Sequence, residues 1–132
     1  MKIFLDTNIL FWLIYRLKNN KPIDYFEKLA SKKQLYVSTF VLAEIYTLKE
    51  KLWITPNQLK KFLKTILTKV KIHPSKVSSW KLSKYVKDKN DIQILQDCLD
   101  SYCEILRTKN LKDFNIVEIQ KNLDIKVTDF IS

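Results

Sequence analysis

Met1-Lys2-Ile3-Phe4-Leu5-Asp6-Thr7-Asn8-Ile9-Leu10 opens the chain and decides its fold class. Ile3, Phe4 and Leu5 are apolar at consecutive positions, as expected of a short strand covered on both faces. A carboxylate, Asp6, follows at once. Thr7-Asn8 are residue types that start helices, and an uninterrupted apolar run continues from Ile9 to Tyr15. Strand, acid and helix in that order begin an α/β unit. In parallel α/β sheets, active sites gather at the carboxyl ends of strands. Asp6 is therefore a candidate site residue on position alone.

Working outward, apolar periodicity predicts strands over Gln34–Ser38, Val70–His73, Glu104–Arg107 and Ile125–Val127. Between them it predicts helices over Asn8–Leu17, Ile23–Ser31, Phe40–Leu52, Pro56–Leu67, Lys76–Lys87 and Asp91–Tyr102, with a possible helical turn before Glu118. Thr55-Pro56 is a good helix start, a capping residue followed by proline. Strands separated by helices imply parallel pairing with helices on both faces. The expected fold is α/β, three layers around a central, mainly parallel sheet of about five strands. At 132 residues it should be a single domain over 1–132.

Composition removes several function classes. Glycine is absent, so neither a P-loop nor a Gly-rich dinucleotide fingerprint exists. Positive-φ positions must fall largely to Asn and Asp, with Asn19-Asn20, Lys89-Asn90 and Lys109-Asn110 as candidates. Cys98 and Cys103 lie five apart on one predicted helix, poor geometry for a disulfide, and read as buried thiols. The single histidine, His73, reads as structural, and with this inventory a zinc site is not expected. The apolar runs are too short for a membrane helix. Asp6 interrupts any signal-peptide layout, and the expectation is a soluble, cytoplasmic protein.

The net charge of +10 is local. Lys49 to Lys89 contains twelve lysines against two acids, Glu50 and Asp88, and the remainder is neutral. Such a basic stripe suggests nucleic acid, with a solvated helical face as the alternative. Lys60, Lys61 and Lys64, and Lys81, Lys84 and Lys87, are the candidate phosphate contacts. The neighbouring Trp53, Phe62, Trp80 and Tyr85 fit core packing better than base stacking.

The acids are most informative where an apolar residue is expected. Glu44 lies three after Val41 and four before Leu48, on the inward stripe of its helix. Asp91 opens the stripe Asp91, Leu95, Cys98, Tyr102, although a helix-capping acid would look the same. Asp97, Asp100 and Glu104 fall on a polar flank. Asp113 lies just past a strand's carboxyl end, where it could equally be a loop acid. In a doubly wound sheet Asp6, Glu44, Asp91 and Asp113 can converge, and clustered carboxylates call for hard divalent cations.

Four segments in this order resemble a known family, the PIN-domain nucleases, especially VapC-like toxins. LDTNIL resembles the first acid motif, and VSTFVLAEIY the second, with Glu44. NDIQILQDCLDSYCEILRTKNLKDF is similar to the third and fourth acid region, and DIKVTDFI to the last strand and tail. The resemblance implies metal ligands Asp6, Glu44 and Asp91, with Asp113 as the fourth, and Asn8, Thr108 and Asn110 as supporting polar groups. It implies Mg²⁺- or Mn²⁺-dependent cleavage of RNA, a partner antitoxin and a homodimer. Asn110 stands where many relatives carry an acid, and Ile92 where a small residue is common. The competing readings are a non-catalytic RNA-binding or regulatory module and a structure-specific DNA nuclease. A phosphatase-like use of Asp6 as nucleophile ranks lower, since position 8 is Asn rather than a second acid.

Overall fold

A computed structural model describes residues 1–129. Phe130 and Ile131 of the ending quoted above lie outside the described residues. Five strands form one parallel sheet: β1 (Lys2–Leu5), β2 (Gln34–Ser38), β3 (Lys71–His73), β4 (Ile105–Arg107) and β5 (Lys126–Thr128), in the spatial order β3-β2-β1-β4-β5. β1 is central, and Ile3, Phe4 and Leu5 are all buried, the double coverage that its unbroken apolar run foretold. Register pairs Ile3 with Leu35 on one side and with Ile105 on the other.

Six α-helices connect the strands: α1 (Thr7–Lys18), α2 (Asp24–Lys32), α3 (Thr39–Leu48), α4 (Pro56–Leu67), α5 (Asn90–Asp100) and α6 (Ile116–Leu123). The chain steps one way from β1 to β3 and then returns past β1 to β4 and β5. With right-handed crossovers that path lays helices on both faces of the sheet. It also creates a topological switch between β1 and β4, whose carboxyl ends open a crevice. α4 starts as its sequence suggests. Thr55 and Gln58 form a reciprocal capping box ahead of Pro56.

Four expectations are corrected. The region Lys76–Lys87 is not an α-helix; only Trp80–Tyr85 winds, as 3₁₀ turns. Side chains of α5 and Ser75 fix this connection: Ser75 Oγ donates to Asp97 (2.8 Å), Gln93 Nε2 to the Lys76 carbonyl (2.8 Å), and the Ser79 amide to Gln96 (3.0 Å). Such side-chain bonds compete directly with helix formation. Asp97, read as part of a polar flank, is for the same reason fully buried. Trp53 and Trp80 are not core residues but 86% and 77% exposed, whereas Tyr85 is buried as expected. Of the predicted positive-φ positions only Asn20 is left-handed; Trp53, Tyr102 and Asp124 take the others. The cysteines are free and buried, and burial pushes both thiols up, Cys103 to about 11.

Candidate active site at the switch point

Asp6 caps α1 at the carboxyl end of β1, and its amide donates to the Arg107 carbonyl of β4 (3.1 Å), so it sits on the switch itself. Its buried carboxylate is tied on both oxygens. Oδ1 accepts from the Thr7 amide (2.6 Å); Oδ2 accepts from the Thr108 hydroxyl (2.9 Å) and from Asn8 Nδ2 (3.3 Å). Asn8 Nδ2 also donates to Thr108 Oγ1 (3.1 Å), and Asn8 Oδ1 accepts from the Lys109 amide (3.0 Å). Asn8 therefore laces the first helix to the loop after β4. The Asn110 amide donates to Thr108 Oγ1 (3.1 Å), so Asn110 supports the loop through its backbone.

Glu44 faces this group from the second turn of α3. The Thr7 hydroxyl donates to Glu44 Oε1 at 2.5 Å, so one residue orients two acids, Asp6 through its amide and Glu44 through its side chain. Asp91 enters from the first turn of α5, half-buried, and its carboxylate accepts no hydrogen bond among the described residues. Sequence reasoning missed Asp88. Its Oδ1 accepts from the Asn90 amide (2.9 Å) and its carbonyl from the Asp91 amide (2.9 Å), which makes it the turn that launches α5. Asp6, Glu44, Asp88 and Asp91 line one open cleft of about 400 Å³. The available signal was the D-x-x-D spacing of Asp88 and Asp91, which sets both at one helix start.

Asp113 is not among the residues lining that cleft. Its loop is stitched to the segment ahead of α5 by an antiparallel Val86–Phe114 bridge and by the Lys87 amide, which donates to the Asp113 carbonyl (2.9 Å). Its charge still reaches the acids. Burial raises Asp6 to about 6; the Thr108 and Thr7 hydrogen bonds oppose this, and the charges of Glu44 and Asp113 add to it. Asp91 rises to about 7, first by burial and then by the charges of Asp6, Asp88, Asp113 and Glu44. Glu44 is raised by burial, against its Thr7 bond, with Asp88 adding. Each carboxylate thus resists ionising beside the others.

An all-oxygen donor set with a surplus of negative charge suits a hard divalent cation. As the side chains stand, no three acids among the described residues are gathered closely enough to share one ion. Asp6 is fixed, so closure on an ion requires rotation of the half-buried Glu44 and Asp91 toward it.

Neither predicted lysine group lines the acidic cleft. Lys60 and Lys64 border a separate apolar groove with Tyr46 and Leu63; Lys84 and Lys87 border another beside Phe114. No helix among the described residues is long and apolar enough to cross a membrane.

The PIN domain family matches residues 3–131. The chain belongs to the PIN domain family. Solved structures share its fold. VapBC2 of Rickettsia felis, bound to a promoter DNA fragment, superposes with a TM-score of 0.66 at 19% identity, covering 98% of each chain. DNA-bound VapBC from Salmonella typhimurium gives the same values. VapBC-1 of nontypeable Haemophilus influenzae gives 0.60 at 21% identity over the whole of both chains. Among curated proteins, none matches this PIN domain significantly.

Proposed function

We propose that this PIN domain is a divalent-metal-dependent endoribonuclease, the toxin of a toxin–antitoxin pair, with Asp6, Glu44 and Asp91 as the residues that hold Mg²⁺ or Mn²⁺. The observation that carries the reading is that acids from three separate elements face one cleft at the switch point of the sheet, each with a raised pKa. Asp6, Glu44 and Asp91 would hold the cation, which would supply water activation and charge neutralisation at a bound phosphate.

The chain's own residues do the rest. Thr7, Thr108 and Asn8 hold Asp6 in one orientation, so that the acid on the most rigid element is preorganised. Thr7 donates to one oxygen of Glu44 and so restrains that side chain beside Asp6. Asp88 adds negative charge at the rim, and Asp113 adds it from behind the cleft. By family resemblance the products carry 5′-phosphate and 3′-hydroxyl ends.

The antitoxin in this proposal draws on the VapBC structures of the same fold, and the homodimer on the family resemblance alone. It is checked by the mass of the complex that forms with the product of an adjacent reading frame.

The test of the chemistry is purified protein incubated with labelled single-stranded RNA and Mn²⁺, beside Asp6→Asn. Wild type should cleave and the variant should not. Equal residual cleavage by the two would end the enzyme reading. Flap and hairpin DNA at matched salt provide the comparison, and faster cleavage of either would reassign the substrate.

A further inference from the structure

The acidic cleft poses an electrostatic problem for a polyanionic substrate, because four carboxylates repel the phosphates that must approach them. The lysines singled out by sequence do not border this cleft, but one other lysine does. Lys51 is the single basic residue among those lining it.

Its position follows from the elements. Glu44, Leu48 and Lys51 are spaced four and three apart, so they continue one face from α3 into the 3₁₀ turn Lys49–Leu52. On α1, Asp6 and Thr7 give way one turn later to Phe11. Along α3 and the turn after it the lining passes from Glu44 to Leu48 and then to Lys51. Seven residues at helical rise put Lys51 roughly 10 Å along the axis from Glu44. That separation suits a neighbouring phosphate better than the reacting one.

The turn carrying Lys51 is anchored on its C-terminal side. Leu52 is buried, its carbonyl accepts from Lys18 Nζ, and Ile54 is buried beyond it. Trp53 closes the turn in the left-handed region (φ 56°). A lysine on a fixed turn loses less freedom on binding than one on a mobile loop.

The structure assigns Lys51 as the substrate-positioning residue of this cleft, binding a backbone phosphate of single-stranded RNA next to the one cleaved. The inference rests on the ribonuclease reading, which supplies the RNA.

The experiment separates the two by measuring binding in a background that does not cleave. A fluorescein-labelled, mixed-sequence single-stranded RNA of twelve nucleotides is titrated into Asp6→Asn and into Asp6→Asn/Lys51→Ala across a range of salt. Loss of one phosphate contact should lower the slope of log affinity against log salt by about 0.7. It should weaken binding by about threefold to tenfold at low salt. Lys51→Arg should restore both. In the cleaving protein, Lys51→Ala should raise KM while largely preserving kcat. Lys33→Ala, at the other end of the sheet, should change neither binding nor slope.

An unchanged salt slope in Lys51→Ala would overturn the assignment, as would a loss of binding equal to that of Lys33→Ala. Tighter Mn²⁺ binding by Lys51→Ala with an unchanged RNA slope would instead make Lys51 a counter-charge to the acids, and would also overturn it. If wild type fails to cleave but the Lys51-dependent slope persists, the enzyme reading falls and the phosphate contact stands.

Discussion

The two ends of the sheet carry clefts of nearly equal size and opposite character. At the carboxyl ends, about 400 Å³ is lined by Asp6, Glu44, Asp88 and Asp91. At the amino ends of β2 and β3, about 420 Å³ is lined by Lys33, Lys69 and Lys71, with Glu27 as the acid. Volume does not distinguish them; strand direction does. In a parallel sheet the helix that follows each strand begins at the carboxyl end, and the helix that precedes the next strand finishes at the amino end. Helix starts favour acids and helix ends favour bases, and each preference stabilises by a few tenths to about 1 kcal/mol. The amino-end lysines obey that preference at ordinary cost. Asp6, Glu44 and Asp91 exceed it, because they are wholly or half buried beside other acids and their pKa values rise in consequence. Clustering beyond what capping needs is what marks the carboxyl end as the candidate site.

The largest effect that would break this contrast is at Asp6. Asp6→Asn should lower RNA cleavage by about a thousandfold, the scale of removing a main electrostatic element of a site, measured as single-turnover rate with Mn²⁺. Thr108→Val leaves the acid but removes its 2.9 Å hydrogen bond. It should cost about tenfold to a hundredfold in Mn²⁺ affinity or rate. Lys33→Ala and Lys69→Ala should leave cleavage unchanged. Equal losses at both ends would erase the distinction.

A second contrast lies in pH. Unfolded aspartates titrate near 4, whereas Asp6 and Asp91 are held to about 6 and about 7 in the fold. From about pH 4 to pH 7 the folded chain keeps protons that the unfolded chain has released. Stability from these groups is therefore full below about pH 4, falls as pH rises through that window, and levels off above about 7. Thermal unfolding without added metal should show Tm declining from pH 5 to pH 7.5, less steeply in Asp91→Asn. Because cations compete with these protons, the Tm gain from Mn²⁺ should be larger at pH 7.5 than at pH 5.5. A gain independent of pH would place the ion elsewhere. Asp88→Asn should weaken Mn²⁺ binding by a smaller factor than Asp6→Asn, since Asp88 is exposed and its charge is screened by solvent, whereas Asp6 is buried.

What the sequence made legible follows the same division. β1 and Asp6 were readable because an apolar tripeptide followed by an acid and two helix starters has few other solutions. Glu44 was readable from helical spacing alone. Asp88 was not, because an acid just before a helix is explained locally by capping, and only the tertiary cleft shows that it also faces Asp91 and Glu44. The Lys76–Lys87 segment was misread for a related reason: its apolar spacing is helical, but Asp97, Gln93 and Gln96 on α5 bind its chain from outside. The lysine groups failed differently. Charge density along the chain reports how many phosphates could be attracted, not which lysine stands at the reacting cleft. That lysine, Lys51, is set apart only by its spacing from Glu44 and Leu48, a cue that carries weight once Glu44 is seen to line the cleft.

The smallest expected effect tests whether the amino end is free to change. α5 finishes there in a Schellman arrangement. The Cys103 amide donates to the Cys98 carbonyl (3.1 Å) and the Tyr102 amide to Leu99 (3.0 Å). The position in the left-handed region, φ 58°, is usually glycine. Here it is Tyr102, 81% exposed, so its ring gains little from burial. A non-glycine residue in that region costs roughly 1 kcal/mol or somewhat more, and glycine returns part of this as lost chain entropy. Tyr102→Gly should therefore stabilise the fold by about 0.5 kcal/mol, read as a small rise in denaturant midpoint at unchanged slope. Its cleavage rate should equal wild type, since the residue lies at the end of α5 away from Asp91. A stabilised protein with a slower rate would mean that the two ends are mechanically coupled through α5. The carboxyl-end cleft would then depend on how the same helix terminates at the opposite edge.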